Sequence, residues 1–324
     1  MDASWKKEPS ILFRVAGGPV LPDAVTVHWL HARPGHRLRV AVFAPSGAAH
    51  GSVVLSPGRT EPIEKYGEVV SELLARGFVV LVHDWAGQGL SGRFLPDPLC
   101  GDIAGGWQVL LADYVDILDA YGEELPRPWI AMGHSMGGAL TALALSEGEA
   151  RFAGAVLCAP MIEFSAGKVP IWAVRTAVHA AFTLKRETEL ARKQSDPSEL
   201  RFKDNDYTHD RARFERTIAL LRAHPELRVG EPTWRWLSFA IALHDRLVLP
   251  GAAERITLPL ATVAAGRDRL VSTRAIRHFV RRVPRGIYTE LPKAYHEILV
   301  ETDEHRAAFW SVFDRVAAQV FAET

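Results

Sequence analysis

Residues 127–138, Arg-Pro-Trp-Ile-Ala-Met-Gly-His-Ser-Met-Gly-Gly, constrain this chain more than any other stretch. A short apolar run delivers Ser135 between glycines and then continues into an Ala/Leu-rich helix. A turn from extended to helical backbone that is this sharp closes only if its flanking positions are very small, and Gly133 and Gly137 supply that smallness. The unit is a strand, an elbow and a helix, with the Ser135 hydroxyl at the tip. The first N–H groups of the helix lie behind it, where they can meet negative charge developing on a carbonyl oxygen. Ser135 is therefore the candidate nucleophile. A bare Gly-x-Ser-x-Gly also arises by chance in loops, but here the flanking strand and helix are both legible.

The rest of the chain has a matching rhythm. Residues 24–30 and 37–43, on either side of Ala-Arg-Pro-Gly-His, predict an opening antiparallel hairpin. Short apolar strands follow at 52–55, 78–82, 129–132 and 153–157, separated by helices over 62–75 and around Trp107 to Tyr121. Strands apolar throughout and alternating with amphipathic helices indicate an α/β fold, a mostly parallel sheet covered on both faces. The rhythm stops near Pro160 and resumes with a strand at 260–264, a helix, a strand near 287–291 and a closing helix. The stretch between looks helical, with Val174, Val178 and Phe182, then Phe214, Ile218 and Leu221, then Leu237, Ile241 and Leu243 each expected on one helix face. The expected organisation is a core of residues 1–160 and 251–324 with a helical cap, 161–250, inserted after the sixth strand.

Composition bounds the partners. Among 324 residues, 38 basic side chains balance 38 acidic ones, so no global field draws the protein to nucleic acid. Only two cysteines, Cys100 and Cys158, occur, and no apolar leader follows the opening Met-Asp-Ala-Ser-Trp-Lys-Lys, which favours a reducing, cytoplasmic setting. No stretch reaches the roughly 20 apolar residues of a membrane span, leaving peripheral contact open. Oligomeric state is not legible.

A serine nucleophile needs an imidazole to take its proton and a carboxylate to hold that imidazole in the right tautomer. In the α/β-hydrolase pattern these follow in the order Ser, acid, His, each just beyond a strand. Asp268, in Ala-Gly-Arg-Asp-Arg-Leu-Val, follows one late strand, and His296, in Pro-Lys-Ala-Tyr-His-Glu, follows the last. Asp268 between two arginines is also what a surface ion pair looks like, and Glu297 is a rival acid disfavoured by adjacency to His296. The expected oxyanion donors are the backbone N–H groups of Met136 and Arg59, the latter turned to the site by an unusual backbone angle at Gly58. The Arg59 side chain is placed to meet an anionic head group, or to be solvated or paired with Glu61.

Two glycine motifs mislead. Gly87-Gln88-Gly89-Leu90-Ser91-Gly92 has dinucleotide-fingerprint spacing, but Arg93-Phe94-Leu95-Pro96-Asp97-Pro98 follows where a helix is required. Gly133 to Gly138 has phosphate-loop spacing with Ala139 and Leu140 in place of Lys and Ser/Thr. No metal-ligand spacing occurs, His83-Asp84 being too little. The expectation is no cofactor and no metal.

With these residues in view, the chain resembles the α/β-hydrolase fold and, within it, the lysophospholipase L2 and monoacylglycerol lipase-like group labelled serine aminopeptidase S33. The resemblance spans about residues 24–316 and rests on Pro57-Gly58-Arg59-Thr60-Glu61 with Lys65-Tyr66, on Asp84-Trp85-Ala86-Gly87-Gln88-Gly89-Leu90-Ser91, on Gly133-His134-Ser135-Met136-Gly137-Gly138, and on Ala294-Tyr295-His296-Glu297. It implies Ser135 as nucleophile, Asp268 as acid, His296 as base and the backbone of Arg59 and Met136 as oxyanion donors. Pro57 stands where many relatives have His, resembling the lysophospholipase branch, and Ala86 where many have Arg. Together the two readings predict a serine hydrolase acting on carboxylic esters with an apolar acyl part, through an acyl-enzyme. A lipid ester would sit beneath Trp172, Phe182, Trp234, Trp236 and Phe239, aromatics that would equally serve to pack the cap. A peptidase or amidase and a cofactor-free acyltransferase use the same triad; a binding protein would normally lack one of its members.

Overall fold

The computed structural model describes residues 5–33, 36–97 and 99–324; residues 1–4, 34–35 and Pro98 lie outside the described residues. The chain opens with β1 (Lys6–Pro9), β2 (Val25–Arg33) and β3 (His36–Phe43), all antiparallel. The strand–helix alternation then runs β4 (Gly51–Ser56), α1 (Gly67–Ala75), β5 (Phe78–His83), α2 (Gly106–Ala120), β6 (Trp129–His134), α3 (Ser135–Ser146) and β7 (Phe152–Cys158). After three helices, α4 (Ile171–Thr183), α5 (Arg211–Ala223) and α6 (Trp234–Val248), it resumes as β8 (Leu260–Ala265), α7 (Thr273–Val280), β9 (Gly286–Leu291) and α8 (Asp303–Glu323).

The sheet has the order β1-β2-β3-β5-β4-β6-β7-β8-β9, with every pair from β5 onward parallel. Its central strands are apolar in every position because both faces are covered. In β5, Val79 and Leu81 point into one apolar layer while Phe78, Val80 and Val82 point into the other. Helices α2, α3 and α7 close the first layer and α1 and α8 the second. This is the α/β-hydrolase arrangement. All parallel strands end their C-termini on one edge, where the loops carry the chemistry.

Three expectations are corrected here. The 161–250 stretch follows the seventh strand, because Lys6–Pro9 adds an edge strand held by backbone pairing to β2 rather than by apolar side chains. Helix α6 also does not bury one face. Trp236, Phe239, Leu243 and Leu247 pack into the layer with α2 and α3, whereas Ile241 meets Val174 and Val178 of α4 and Leu237 touches both groups. Leu237 and Ile241 lie one turn apart on the helix, and Leu243 lies on a different side. On α4 the buried position near the C-terminal end is Ala181 rather than Phe182, while Phe214, Ile218 and Leu221 of α5 are buried together as expected.

Candidate active site

The elbow forms where β6 meets α3. Ser135 is the first helical residue and holds φ at +49°, a left-handed value that a non-glycine residue keeps only when its surroundings enforce it. A Cβ on Gly133 would sit 2.7 Å from Cα of Gly138, and one on Gly137 would fall on the carbonyl oxygens of Ser56 and Pro57. Both glycines are thus demanded by close approach. Ser135 Oγ lies 2.9 Å from His296 Nε2, and His296 Nδ1 lies 2.6 Å from Asp268 Oδ2. The second Asp268 oxygen accepts from the N–H groups of Leu270 at 2.8 Å and Val271 at 3.0 Å. Burial by itself would raise the Asp268 pKa, but the His296 ring and these two amides outweigh it and hold the carboxyl below its ordinary value. Three residues distant in sequence therefore form one hydrogen-bonded row, and Asp268 is not a surface ion-pair residue.

The loop after β4 is clamped from below. The Trp85 indole donates to the Pro57 carbonyl at 2.8 Å, and Gln88 both donates to the Gly58 carbonyl and accepts from the Thr60 N–H at 3.0 Å. The glycine-rich turn that mimics a dinucleotide motif is in fact the seat of this loop: Gly87 and Gly89 take φ of +85° and +50° to present Gln88. Asp84, which opens that turn, is bound in the interior to Arg39 Nε at 2.7 Å, and Arg39 spans Glu64 with two further 2.7 Å hydrogen bonds. Gly58 itself does not adopt a positive φ; that conformation falls on Thr60, at +67°. Gly58 is required instead because a Cβ there would lie 2.5 Å from Glu61 Oε2 and 2.8 Å from His134 Nδ1.

Glu61 is the functional residue whose importance the linear pattern conceals. One carboxylate oxygen accepts from the Gly58 N–H, the Tyr66 hydroxyl and His134 Nδ1, the last at 2.9 Å, while the other accepts from Lys65 Nζ at 2.7 Å. Lys65 reaches on to Glu297 at 2.6 Å, and His134 Nε2 lies 3.3 Å from the His296 carbonyl. Glu297, the rival acid, is thus spent on Lys65. Burial would raise the Glu61 pKa, yet His134 and Lys65 draw it well below the carboxylate norm; His134, which burial would lower, is raised by Glu61. The i,i+4 spacing of Glu61 and Lys65 was the available sequence signal.

The aromatic set is dispersed. Phe239 and Trp236 are buried against the core layer, Trp234 lies against α4, and Trp172 and Phe182 are 69% and 42% exposed on α4. They do not gather into one lining, because α6 uses its aromatics to seat itself. The 161–250 stretch also reaches the His296 loop through His209, whose Nδ1 meets Glu301 at 2.6 Å and whose ring stacks on Tyr295 at 3.8 Å. His209, Glu301 and His305 hold donor atoms within 4.8 Å of one another, but the N–H groups of Tyr295, Thr302 and His209 already donate to the Glu301 carboxylate. Those bonds make the group a latch between segments.

A family model described as serine aminopeptidase, S33, matches residues 47–303. The chain belongs to this family. Lysophospholipase L2 of Escherichia coli (strain K12) is 32% identical over 304 residues, covering 88% of this chain and 82% of that protein. A monoacylglycerol lipase of Mycolicibacterium smegmatis is 24% identical, covering 83% and 89%. Among solved structures, a soluble variant of Saccharomyces cerevisiae monoglyceride lipase aligns with a TM-score of 0.68 at 18% identity over 94% of this chain and 98% of its own, which shows the shared fold. The matched span contains the Glu61 loop, the Trp85–Gln88 turn, the elbow and the His296 loop of this S33 member. No helix among the described residues is long and apolar enough to cross a membrane.

Proposed function

We propose that this protein is a serine hydrolase that cleaves carboxylic esters with an apolar acyl group, of the lysophospholipase or monoacylglycerol lipase kind, through an acyl-enzyme. The observation that carries the reading is the row Asp268–His296–Ser135, at 2.6 and 2.9 Å. His296 Nε2 takes the hydroxyl proton as Ser135 Oγ attacks the ester carbonyl, and Asp268 steadies the imidazolium. The oxyanion meets the N–H groups of Met136, in the unpaired first turn of α3, and Arg59. His296 returns the proton to the leaving alcohol, takes one from water as its oxygen attacks the acyl carbon, and gives that proton to Ser135 Oγ as the acyl–oxygen bond breaks.

In this reading residues 161–250 act as a cap and α4 as its contact with lipid. Val169, Trp172, Phe182 and Leu184 are exposed along α4 and its ends beside Lys168, Lys185 and Arg186, an apolar strip with a basic fringe suited to a lipid–water interface. The similarity to the two lipid-ester hydrolases named above supports a lipid ester as substrate.

The test is a panel of lysophosphatidyl esters, monoacylglycerols, short nitrophenyl esters and matched amides, run on wild type and Ser135→Ala. Ester turnover that disappears in the variant is expected. Equal turnover by both proteins refutes the nucleophile, and preferred amide cleavage refutes the ester assignment.

A further inference from the structure

Arg39 and Arg59 are treated in opposite ways. Arg39 is fully buried and bound by two carboxylates, Glu64 and Asp84, which is how a fold neutralises an interior cation. Arg59 leaves the loop after β4 and runs between the core and the segment carrying residues 230–236. Its guanidinium lies 4.9 Å over the Trp236 ring and one nitrogen donates to the Gly230 carbonyl, while its enclosed Nε has no hydrogen-bond partner. Among the described residues it forms no salt bridge. The nearby Glu231 is engaged instead by the Ser195 hydroxyl at 2.7 Å and by Arg192 at 3.7 Å. Burial pushes the Arg59 pKa down to about 10, with Glu231 only partly opposing, so the group stays charged at neutral pH.

A half-buried guanidinium with no carboxylate partner is costly to keep, and a structural role would be met more cheaply by an apolar side chain. Its position gives it another use. It belongs to the residue whose backbone N–H faces the oxyanion in the proposed mechanism, and it shares its surroundings with Tyr207, whose carbonyl accepts from the Glu297 N–H beside His296 at 2.9 Å. The charge thus stands, without a carboxylate partner, at the seam between the loop that carries the Arg59 N–H and the 161–250 segment.

We propose that Arg59 is the site's phosphate-recognition group, selecting esters whose alcohol part carries a phosphate, as lysophospholipids do and monoacylglycerols do not. The inference rests on the serine-hydrolase reading above. A planar fork of N–H donors matches phosphate oxygens in a way that a neutral glycerol head cannot reproduce. A neutral head leaves the cation without its counter-ion at the moment water is excluded.

The test compares kcat/KM for a lysophosphatidylcholine and a monoacylglycerol of the same acyl chain in wild type, Arg59→Met, Arg59→Lys and Ser135→Ala. Arg59→Met keeps apolar packing against Trp236, and the ratio of the two specificity constants is expected to drop by about tenfold or more, with Arg59→Lys between. A ratio within twofold of wild type overturns the proposal, whether or not both activities fall. A second measurement needs only wild type: inhibition by glycerophosphocholine, glycerol 3-phosphate, inorganic phosphate and glycerol. The two glycerophosphates are expected to compete at concentrations where glycerol does not. Inorganic phosphate competing as well as they do assigns the site to free phosphate and overturns head-group recognition, as does glycerol competing equally. Turnover surviving in Ser135→Ala sinks the hydrolase reading itself, whereas loss there with an unchanged ratio removes only the role of Arg59.

Discussion

Glu61 and His134 meet at 2.9 Å, and through that contact the loop bearing the Arg59 N–H is joined to the residue immediately before the serine. The same carboxylate holds the Gly58 N–H and Lys65, and Lys65 holds Glu297 next to His296. One buried anion therefore sets the relative positions of the three loops that carry the proposed chemistry.

Glu61→Gln keeps the shape and removes the charge. Breaking one partner of a buried ion pair costs about 3 kcal/mol or more, so the melting temperature falls, and misplacement of the oxyanion loop lowers kcat by about 10- to 100-fold with little change in KM. A pH-dependent signature separates this from a general loss of stability. The His134 pKa is raised in the folded protein, so its contribution is full below the ordinary histidine value and is lost as pH rises through the raised one. In Glu61→Gln that alkaline decline flattens. An unchanged slope in melts taken from neutral to mildly alkaline pH contradicts the assignment.

Asp268→Asn leaves the side chain in place but removes the charge that steadies the imidazolium and the acceptor that selects the tautomer. A fall in kcat of about 10⁴-fold is expected, because the imidazole is left in the wrong tautomer and its charged form is no longer stabilised. Because the amide can still accept from the Leu270 and Val271 N–H groups, the fold is expected to survive. Steady-state kinetics together with circular dichroism check both halves.

His83 contributes to the acid limb of stability. It is wholly buried, its Nε2 lies 3.3 Å from Ser56 Oγ, and burial pushes its pKa down to about 3. Between that value and about 6.5 the unfolded chain binds a proton that the native protein refuses, so stability falls as pH drops through this window. By pH 5 the loss is about 2 kcal/mol. His83→Gln, which retains a partner for Ser56, is expected to melt at a temperature less sensitive to pH between 7 and 5 than wild type, and an equal sensitivity counts against the argument.

Phe239 and Trp172 provide a paired control on the 161–250 stretch. Phe239 is 2% exposed in the core layer, and its change to Ala is expected to cost about 3–5 kcal/mol. Trp172 is 69% exposed, so Trp172→Ala is expected to change stability by no more than about 0.5 kcal/mol while weakening sedimentation with anionic lipid vesicles. Undiminished vesicle binding removes α4 from the lipid contact.

Much of this architecture was legible in the sequence because parallel strands covered on both faces are apolar at every position and because the elbow glycines are dictated by local sterics. Ser135, Asp268 and His296 could be found by their places after strands, a rule of topology that needs no knowledge of packing. What lies between side chains was less readable. Periodicity shows that α6 is amphipathic but not that Ile241 and Leu243 face different neighbours, and aromatic residues on a helix look alike whether they seat it or line a pocket. Strand β1, Lys-Lys-Glu-Pro, has no apolar signal because its stabilisation comes from the backbone ladder. The Gly58 requirement was traced to the wrong cause, since a steric need imposed by Glu61 and His134 is invisible until both are placed.

Gly137 presses against the carbonyls of Ser56 and Pro57 with no space for even a methyl group, so the serine and the neighbouring loop are effectively a single casting. Such a part resists gradual remodelling. New preferences for the acyl part in proteins built this way should accumulate in the 161–250 stretch, within the bounds set by His209 and Tyr207, whose contacts with Glu301, Tyr295 and Glu297 any exchange of that stretch must preserve.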